Sequence, residues 1–207
     1  SDTTATIAAV GDIMVYENQI KAAQLDETTY DFMPSFAAIR AYTESADITV
    51  GNLELNFLGG PSYSGSAQGP TYFNAPESLA TDLNKIGFDV LQTANTYTIV
   101  NGIDGLKSTI NYLNQAGIDA VGSHLSDPEK SNNGGVVIRY SGPNNTGIKF
   151  AFIGFTKGLN GMTIPANNEY AVDLLYTDYN KAYETIAVDS ITKRIEAAKA
   201  HDPDIII

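Results

Sequence analysis

Thr6-Ile-Ala-Ala-Val-Gly-Asp12 and Ala46-Asp-Ile-Thr-Val-Gly-Asn52 decide the fold. Each is a short apolar run closed by a glycine and then an acid or amide, the pattern of a buried strand that delivers a polar side chain at its carboxyl end. Between them, residues 30–42 carry Phe32, Phe36 and Ile39 at helical spacing and are expected to form one helix. A Gly/Ser/Pro-rich loop spans 59–70. Beyond it Leu79, Leu83 and Ile86 repeat as a helix face, with Gly87 where a helix-ending glycine belongs. Phe88-Asp-Val-Leu91 is a third strand signal, leading to Ala94-Asn95. Ile103, Leu106, Ile110 and Leu113 then give a helix closed by Gly117, and Ile118-Asp-Ala-Val121 a fourth strand. Strands alternating with helices specify an α/β protein with a largely parallel or mixed sheet.

In the second half, residues 136–140 and 148–155 read as two antiparallel strands joined by Gly142-Pro-Asn-Asn-Thr-Gly147. Residues 181–200 read as a helix with Ile186, Ile191, Ile195 and Ala198 on one side. The chain ends Asp202-Pro-Asp-Ile-Ile-Ile207, a turn followed by the start of a buried strand, expected to be central in its sheet. From this we expect a single domain over 1–207 that lacks its C-terminal part, with an exposed sheet edge available for self-association.

Composition narrows the function. The 207 residues are 43% hydrophobic and 17% charged, as in a folded domain, and carry a net charge of −12. That charge repels nucleic-acid phosphates, and it opposes an anionic polymer unless a cation or a basic patch intervenes. The absence of cysteine removes disulfides, thiolate metal sites and thiol nucleophiles; only His124 and His201 supply imidazole. No run reaches the roughly 18 apolar residues of a membrane span. The polar opening Ser1-Asp-Thr-Thr-Ala-Thr6 reads as the stub of a removed signal or lipoprotein leader, which points to the cell surface.

Three strand ends carry oxygen donors: Asp12, Asn52 with Glu54, and Asn95. Ligands in α/β folds gather at such ends, and a carboxylate and amide set suits Mg²⁺ or Mn²⁺ in a metal-assisted phosphoester hydrolase. Taken singly, each is as well explained as a turn or cap residue. His124, with Asp127 nearby, lies in a loop-like stretch and is expected to be solvated; His201 follows a helix end and is expected to cap it. There is no nucleophile elbow and no phosphate-binding glycine loop. Of the twelve tyrosines, those between Tyr63 and Tyr72 and near Tyr97 have faces suited to stacking on sugars, though most are expected to be core or rim residues.

The order of several segments carries a resemblance: Val10-Gly-Asp-Ile-Met14, Ala46 to Glu54, Phe73-Asn-Ala-Pro-Glu77, Gly87 to Asn95, Gly102-Ile-Asp-Gly-Leu106, Ala116 to Gly122 and Gly158-Leu-Asn-Gly161. From about Ile7 onward the chain resembles bacterial capsule-synthesis proteins of the CapA, poly-γ-glutamate type, a branch of the calcineurin-like metallophosphatases. The resemblance implies a metallophosphatase-like two-sheet sandwich flanked by helices, with Asp12, Glu54 and Asn95 as counterparts of metal-site residues. It also marks departures. Relatives carry His where this chain has Tyr16 and Tyr97, and Asp where it has Val100. A phenol neither ligates a divalent metal well nor shuttles protons at pH 7. The resemblance therefore implies an extracytoplasmic protein of capsule or poly-γ-glutamate biosynthesis in which Mn or Mg is held poorly if at all, and no residue is assigned a catalytic role. The alternative is a non-catalytic module that binds a glycan or anionic polymer through Asn52, Tyr16 and Tyr97.

Overall fold

A computed structural model describes residues 3–69 and 71–207, so the first two residues of the N-terminal stub and the last of the 59–70 loop lie outside the described residues. Four parallel strands, β1 (Ile7–Ile13), β2 (Ile48–Leu53), β3 (Val90–Gln92) and β4 (Asp119–Val121), form one sheet in the order β1-β2-β3-β4. A second sheet has the order β5-β6-β7: β5 (Val137–Gly142) and β6 (Thr146–Phe152) are antiparallel, and β7 (Ile205–Ile206) runs parallel to β6. The fold is thus α/β, a two-sheet sandwich flanked by helices, as the resemblance implies.

Apolar burial defines the layers. Ile48, Val90 and Val121 of the first sheet meet Phe150 and Phe152 of the second, and these five form the interior of the sandwich. On the outer face of the first sheet, Leu79, Leu83 and Ile86 pack with Ile13, Leu53, Phe57 and Phe88; Leu79, Leu83 and Ile86 come from α4 (Ser78–Lys85) and its C-cap. Leu106 and Ile110 of α5 (Gly102–Gln115) pack with Leu159 and Val172 in a further cluster. Ala198 of α6 (Val188–Lys199) seals Val136 and Ala151 of the second sheet. Fully burying one such Phe, Leu or Ile contributes about 1.5–3 kcal/mol. Gly87 and Gly117, at φ of 103° and 79°, end α4 and α5 in the left-handed region; a Cβ on Gly87 would also lie 2.5 Å from the Thr43 carbonyl oxygen.

Three expectations are corrected. Residues 30–42 do not form one helix but α2 (Met33–Phe36) and α3 (Arg40–Ser45). Between them Ile39 N–H donates to the Phe36 carbonyl three residues back, a tight turn that leaves Ile39 39% exposed while Thr43 is buried. Residues 181–187 are not helical either. The Asp178 carboxylate accepts the Glu184 and Thr185 backbone N–H groups at 2.9 and 3.0 Å, a local competitor to the helix, and Ile186 is exposed. Finally, β7 is not central: among the described residues it pairs only with β6 and lies at the sheet's edge.

Two arginines couple the layers. Arg139 on β5 donates from Nε to Asp119 on β4 at 2.9 Å and from Nη2 to the Asp89 carbonyl at 3.1 Å. Arg194 on α6, on a helix face the apolar pattern does not mark, forks onto Asp173 through Nε and Nη2 at 2.9 and 2.8 Å and reaches the Gly134 carbonyl. Asp173 also meets His124 Nε2 at 3.0 Å, and all three side chains are largely buried. His124 is therefore a buried partner of Asp173, not a solvated loop residue; Asp127 instead accepts the Glu129 N–H. Nor does the His201 ring cap its helix, since its Nε2 faces the Asn133 carbonyl at 3.0 Å. Removing one member of a buried charged pair strands the other, so Arg194→Met should cost about 3 kcal/mol in urea unfolding. Lys193→Met, which breaks the exposed pair with Glu129, should leave the midpoint unchanged.

Candidate functional site

Register decides where the polar strand ends meet. Along β1 and β2 the partners are Ala9 with Val50 and then Asp12 with Asn52, so β1 carries one extra residue at Val10 and Gly11. Without this bulge Asp12 would face Leu53, and its carboxylate would leave the row of polar side chains. With it, the Asn52 amide Nδ2 donates to Asp12 Oδ1 at 2.8 Å and to Glu54 Oε1 at 3.3 Å. Asn52 Oδ1 in turn accepts from Asn95 Nδ2 at 3.1 Å. Asp12, Asn52, Glu54 and Asn95 are thus one hydrogen-bonded cluster, although 83 residues separate the first from the last.

Asn95 is the fixed end of this chain. It is buried, its amide also donates to the Leu53 carbonyl at 2.8 Å, and its backbone N–H donates to Thr98 Oγ1 at 2.7 Å. Its Oδ1 accepts the Tyr97 N–H at 3.1 Å, which ties the tyrosine to the cluster. Asp12 is exposed, and Asn52 and Glu54 are half-buried. Burial first, and the Asp12 charge second, push the Glu54 carboxyl above its ordinary value, against the opposing Asn52 hydrogen bond.

The two tyrosines at the family's imidazole positions share a partner. Phe73 lies edge-on to Tyr16 at 5.7 Å between ring centres and tilted against Tyr97 at 4.8 Å. Phe73 holds a left-handed backbone at φ 45°, a conformation that costs a non-glycine residue about 1–2 kcal/mol. Its neighbours hold it there: Asn101 accepts the Tyr72 N–H at 2.8 Å and donates to the Tyr72 carbonyl, while Phe73 donates to Ser66 and accepts from Asn56. Tyr16 is 55% exposed and Tyr97 half-buried. Val100 follows in the same turn, half-buried, with no polar atom to offer. Tyr63 is not free to stack, because its hydroxyl donates to Glu77 at 2.7 Å and its ring meets Tyr30 edge-on.

Sequence reasoning placed the four polar residues but missed Phe73, Arg194 and Asp173. Phe73 opens one of the quoted motifs, yet nothing in a motif signals a ring wedged between two tyrosines. The donor chemistry around Asn52 is that of oxygen alone: two carboxylates share one amide N–H group, and among the described residues no three His, Cys, Asp or Glu side chains are grouped to hold a metal ion.

With this geometry in hand, comparison with known proteins places the chain. Residues 6–207 match the family described as bacterial capsule synthesis protein PGA_cap. The chain belongs to that family. It is 28% identical over 153 residues to the capsule biosynthesis protein CapA of Bacillus anthracis, an alignment covering 73% of this chain and 34% of that protein. It is also 28% identical over 116 residues to the uncharacterized protein y4sH of Sinorhizobium fredii, covering 55% of this chain and 23% of that one. The chain therefore spans about a third or less of these relatives.

Glu54 yields a prediction. With its carboxyl raised in the folded state, the native protein binds more protons than the unfolded chain between the two values, so stability falls as pH rises through that window. Glu54→Gln removes the effect and should stabilise the protein at pH 7 by about 0.5 kcal/mol, a figure reduced for the site's solvent contact. The gain should vanish below about pH 4, where carboxyls are protonated in both states. Urea unfolding at the two pH values measures it; a less stable variant at pH 7 would contradict the repulsion.

Proposed function

We propose that this PGA_cap chain acts at the cell surface in making a capsule-type polymer, poly-γ-glutamate or a glycan, and that its strand-end cluster contacts the polymer without hydrolysing a phosphoester. The observation that carries this reading is the Asn52 amide standing against both Asp12 and Glu54 while phenols occupy the family's imidazole positions. A divalent metal would supply Lewis-acid activation, but these residues do not fit one that is tightly held. Mn or Fe favours nitrogen donors beside oxygen, and here the nearest rings are Tyr16 and Tyr97. Mg²⁺ accepts oxygen ligands but binds weakly without a preformed octahedral set.

Proton transfer is equally poorly provided. A general acid or base works best with a pKa near the operating pH, and a phenol titrates near 10. Loss of such a group costs typically about 10²- to 10⁴-fold in rate, enough to abolish useful turnover. The non-catalytic polymer-binding reading is favoured by Tyr16, Phe73 and Tyr97, whose packing gives those rings a structural reason to be where ligands stood. Both readings place the protein outside the cytoplasmic membrane, as the family's role in capsule formation suggests. Among the described residues no helix is long and apolar enough to cross a membrane.

Metal analysis after dialysis should find far less than one Mn or Fe per chain, and a phosphoesterase assay in Mn²⁺ should give background rates. Stoichiometric metal with clear turnover would restore the enzyme. If the phenol is what weakens the site, Tyr97→His should raise metal content measurably.

A further inference from the structure

We propose that Tyr16, Phe73 and Tyr97, with Asp12 and Glu54 beside them, form a binding surface for an amine-bearing sugar unit, such as a glucosaminyl residue of a polymer. This rests on the reading that the strand-end cluster is where the chain meets its ligand, and it adds the chemical class of that ligand.

The surface is continuous. Tyr97 N–H bonds Asn95, Asn95 bonds Asn52, and Asn52 bonds both carboxylates, while the Tyr97 ring packs on Phe73 and Phe73 on Tyr16. Phe73 is buried and serves as the keel; Tyr16, 55% exposed, and Asp12 reach solvent. A pyranose offers C–H groups on one face, which pack on an aromatic ring, and hydroxyls at its rim for amide and carboxylate partners. A small number of polar groups set beside aromatic rings is how such ligands are oriented.

Charge selects the amine. Among the described residues neither Asp12 nor Glu54 takes part in an ion pair, although Asp82, Asp89, Asp119, Asp127, Asp173, Glu44, Glu129 and Glu196 do. Two adjacent carboxylates without a cationic partner repel one another, and an ammonium group between them relieves the repulsion. The same ammonium gains from the face of a tyrosine. A polyanion meets the opposite sign, both here and across a chain of net charge −12. The surface thus favours a protonated amino sugar over its N-acetylated form and over an acidic polymer.

The test is calorimetric titration of the 207-residue chain with the glucosamine trimer, the N-acetylglucosamine trimer and poly-γ-glutamate, each repeated on variants and followed by NMR of tyrosine rings and Asn side-chain amides. The glucosamine trimer should bind about tenfold tighter than its N-acetylated counterpart, lacking as the latter does the charge that the carboxylates and ring attract. Tyr16→Ala should weaken it about fivefold and Asp12→Asn by a similar factor, while Tyr16→Phe keeps the ring and the affinity. Tyr16 is exposed, so the fold should survive its replacement, and urea midpoints will confirm that. Equal binding of both trimers overturns the amine's role. Binding that Tyr16→Ala leaves unchanged is general attraction to an acidic chain and also overturns the proposal. If poly-γ-glutamate or the N-acetylated trimer binds with Tyr16 dependence and the glucosamine trimer does not, the sugar class is wrong while the polymer-contact site stands. If no probe shifts the Tyr16 or Asn52 signals, both fall.

Discussion

The site depends on one extra residue in one strand. Parallel pairing of β1 with β2 carries Ile7, Ala8 and Ala9 against Ile48, Thr49 and Val50 in regular register, and the bulge at Val10 and Gly11 then moves Asp12 across from Asn52. Because side chains alternate along a strand, a one-residue slip reverses every face beyond it. The bulge therefore decides both that Asp12 joins Asn52 and Glu54 and that Ile13, one residue later, enters the core with Leu53. Substitutions that disturb this register would scatter the polar cluster without removing any of its members.

Polar contacts between layers constrain the rest. A sandwich filled by apolar side chains alone fixes the distance between its sheets better than their offset. Arg139, reaching from β5 to Asp119 and to the Asp89 carbonyl, pins that offset with directional bonds. Arg194, Asp173 and His124 do the same for α6 against the loops that follow β4. Burial raises the Asp89 carboxyl, and Arg139 opposes that rise, so a single guanidinium both aligns the sheets and keeps a half-buried acid ionised. These networks lie away from Asn52, which separates the residues that hold the fold from those that meet a ligand.

At the strand ends the departures from the family pattern are consistent with one another. Replacing imidazole by phenol at one position removes a ligand; at two positions facing the same phenylalanine it also builds a packed aromatic surface. The left-handed backbone of Phe73 is maintained against its cost by hydrogen bonds on both sides, from Asn101, Asn56 and Ser66. An acidic, partly hydrated pole beside such rings suits recognition of a ligand better than activation of water.

Much of this was readable from residue order. Apolar runs ending in Gly-Asp and Gly-Asn marked β1 and β2, helical spacing with closing glycines marked α4 and α5, and the turn-rich 142–147 segment marked the β5 and β6 hairpin. All are local properties, set by side-chain period and backbone preference. Asp12, Asn52, Glu54 and Asn95 were identifiable for the same reason, since each follows a strand. What local pattern could not carry was anything that depends on a partner distant in the chain. Asp178 captured backbone N–H groups that would otherwise have extended α6, and a tight turn at Ile39 split α2 from α3. Asp173 drew His124 and Arg194 into the interior, where neither charge nor spacing predicted them. The bulge between Ala9 and Asp12, and the wedge of Phe73 between Tyr16 and Tyr97, exist only once strands and loops far apart in sequence have packed. Composition and period therefore specified the elements and the polar residues at their ends, and tertiary packing alone chose which of those residues meet, because register and close contact are properties of pairs that no single segment contains.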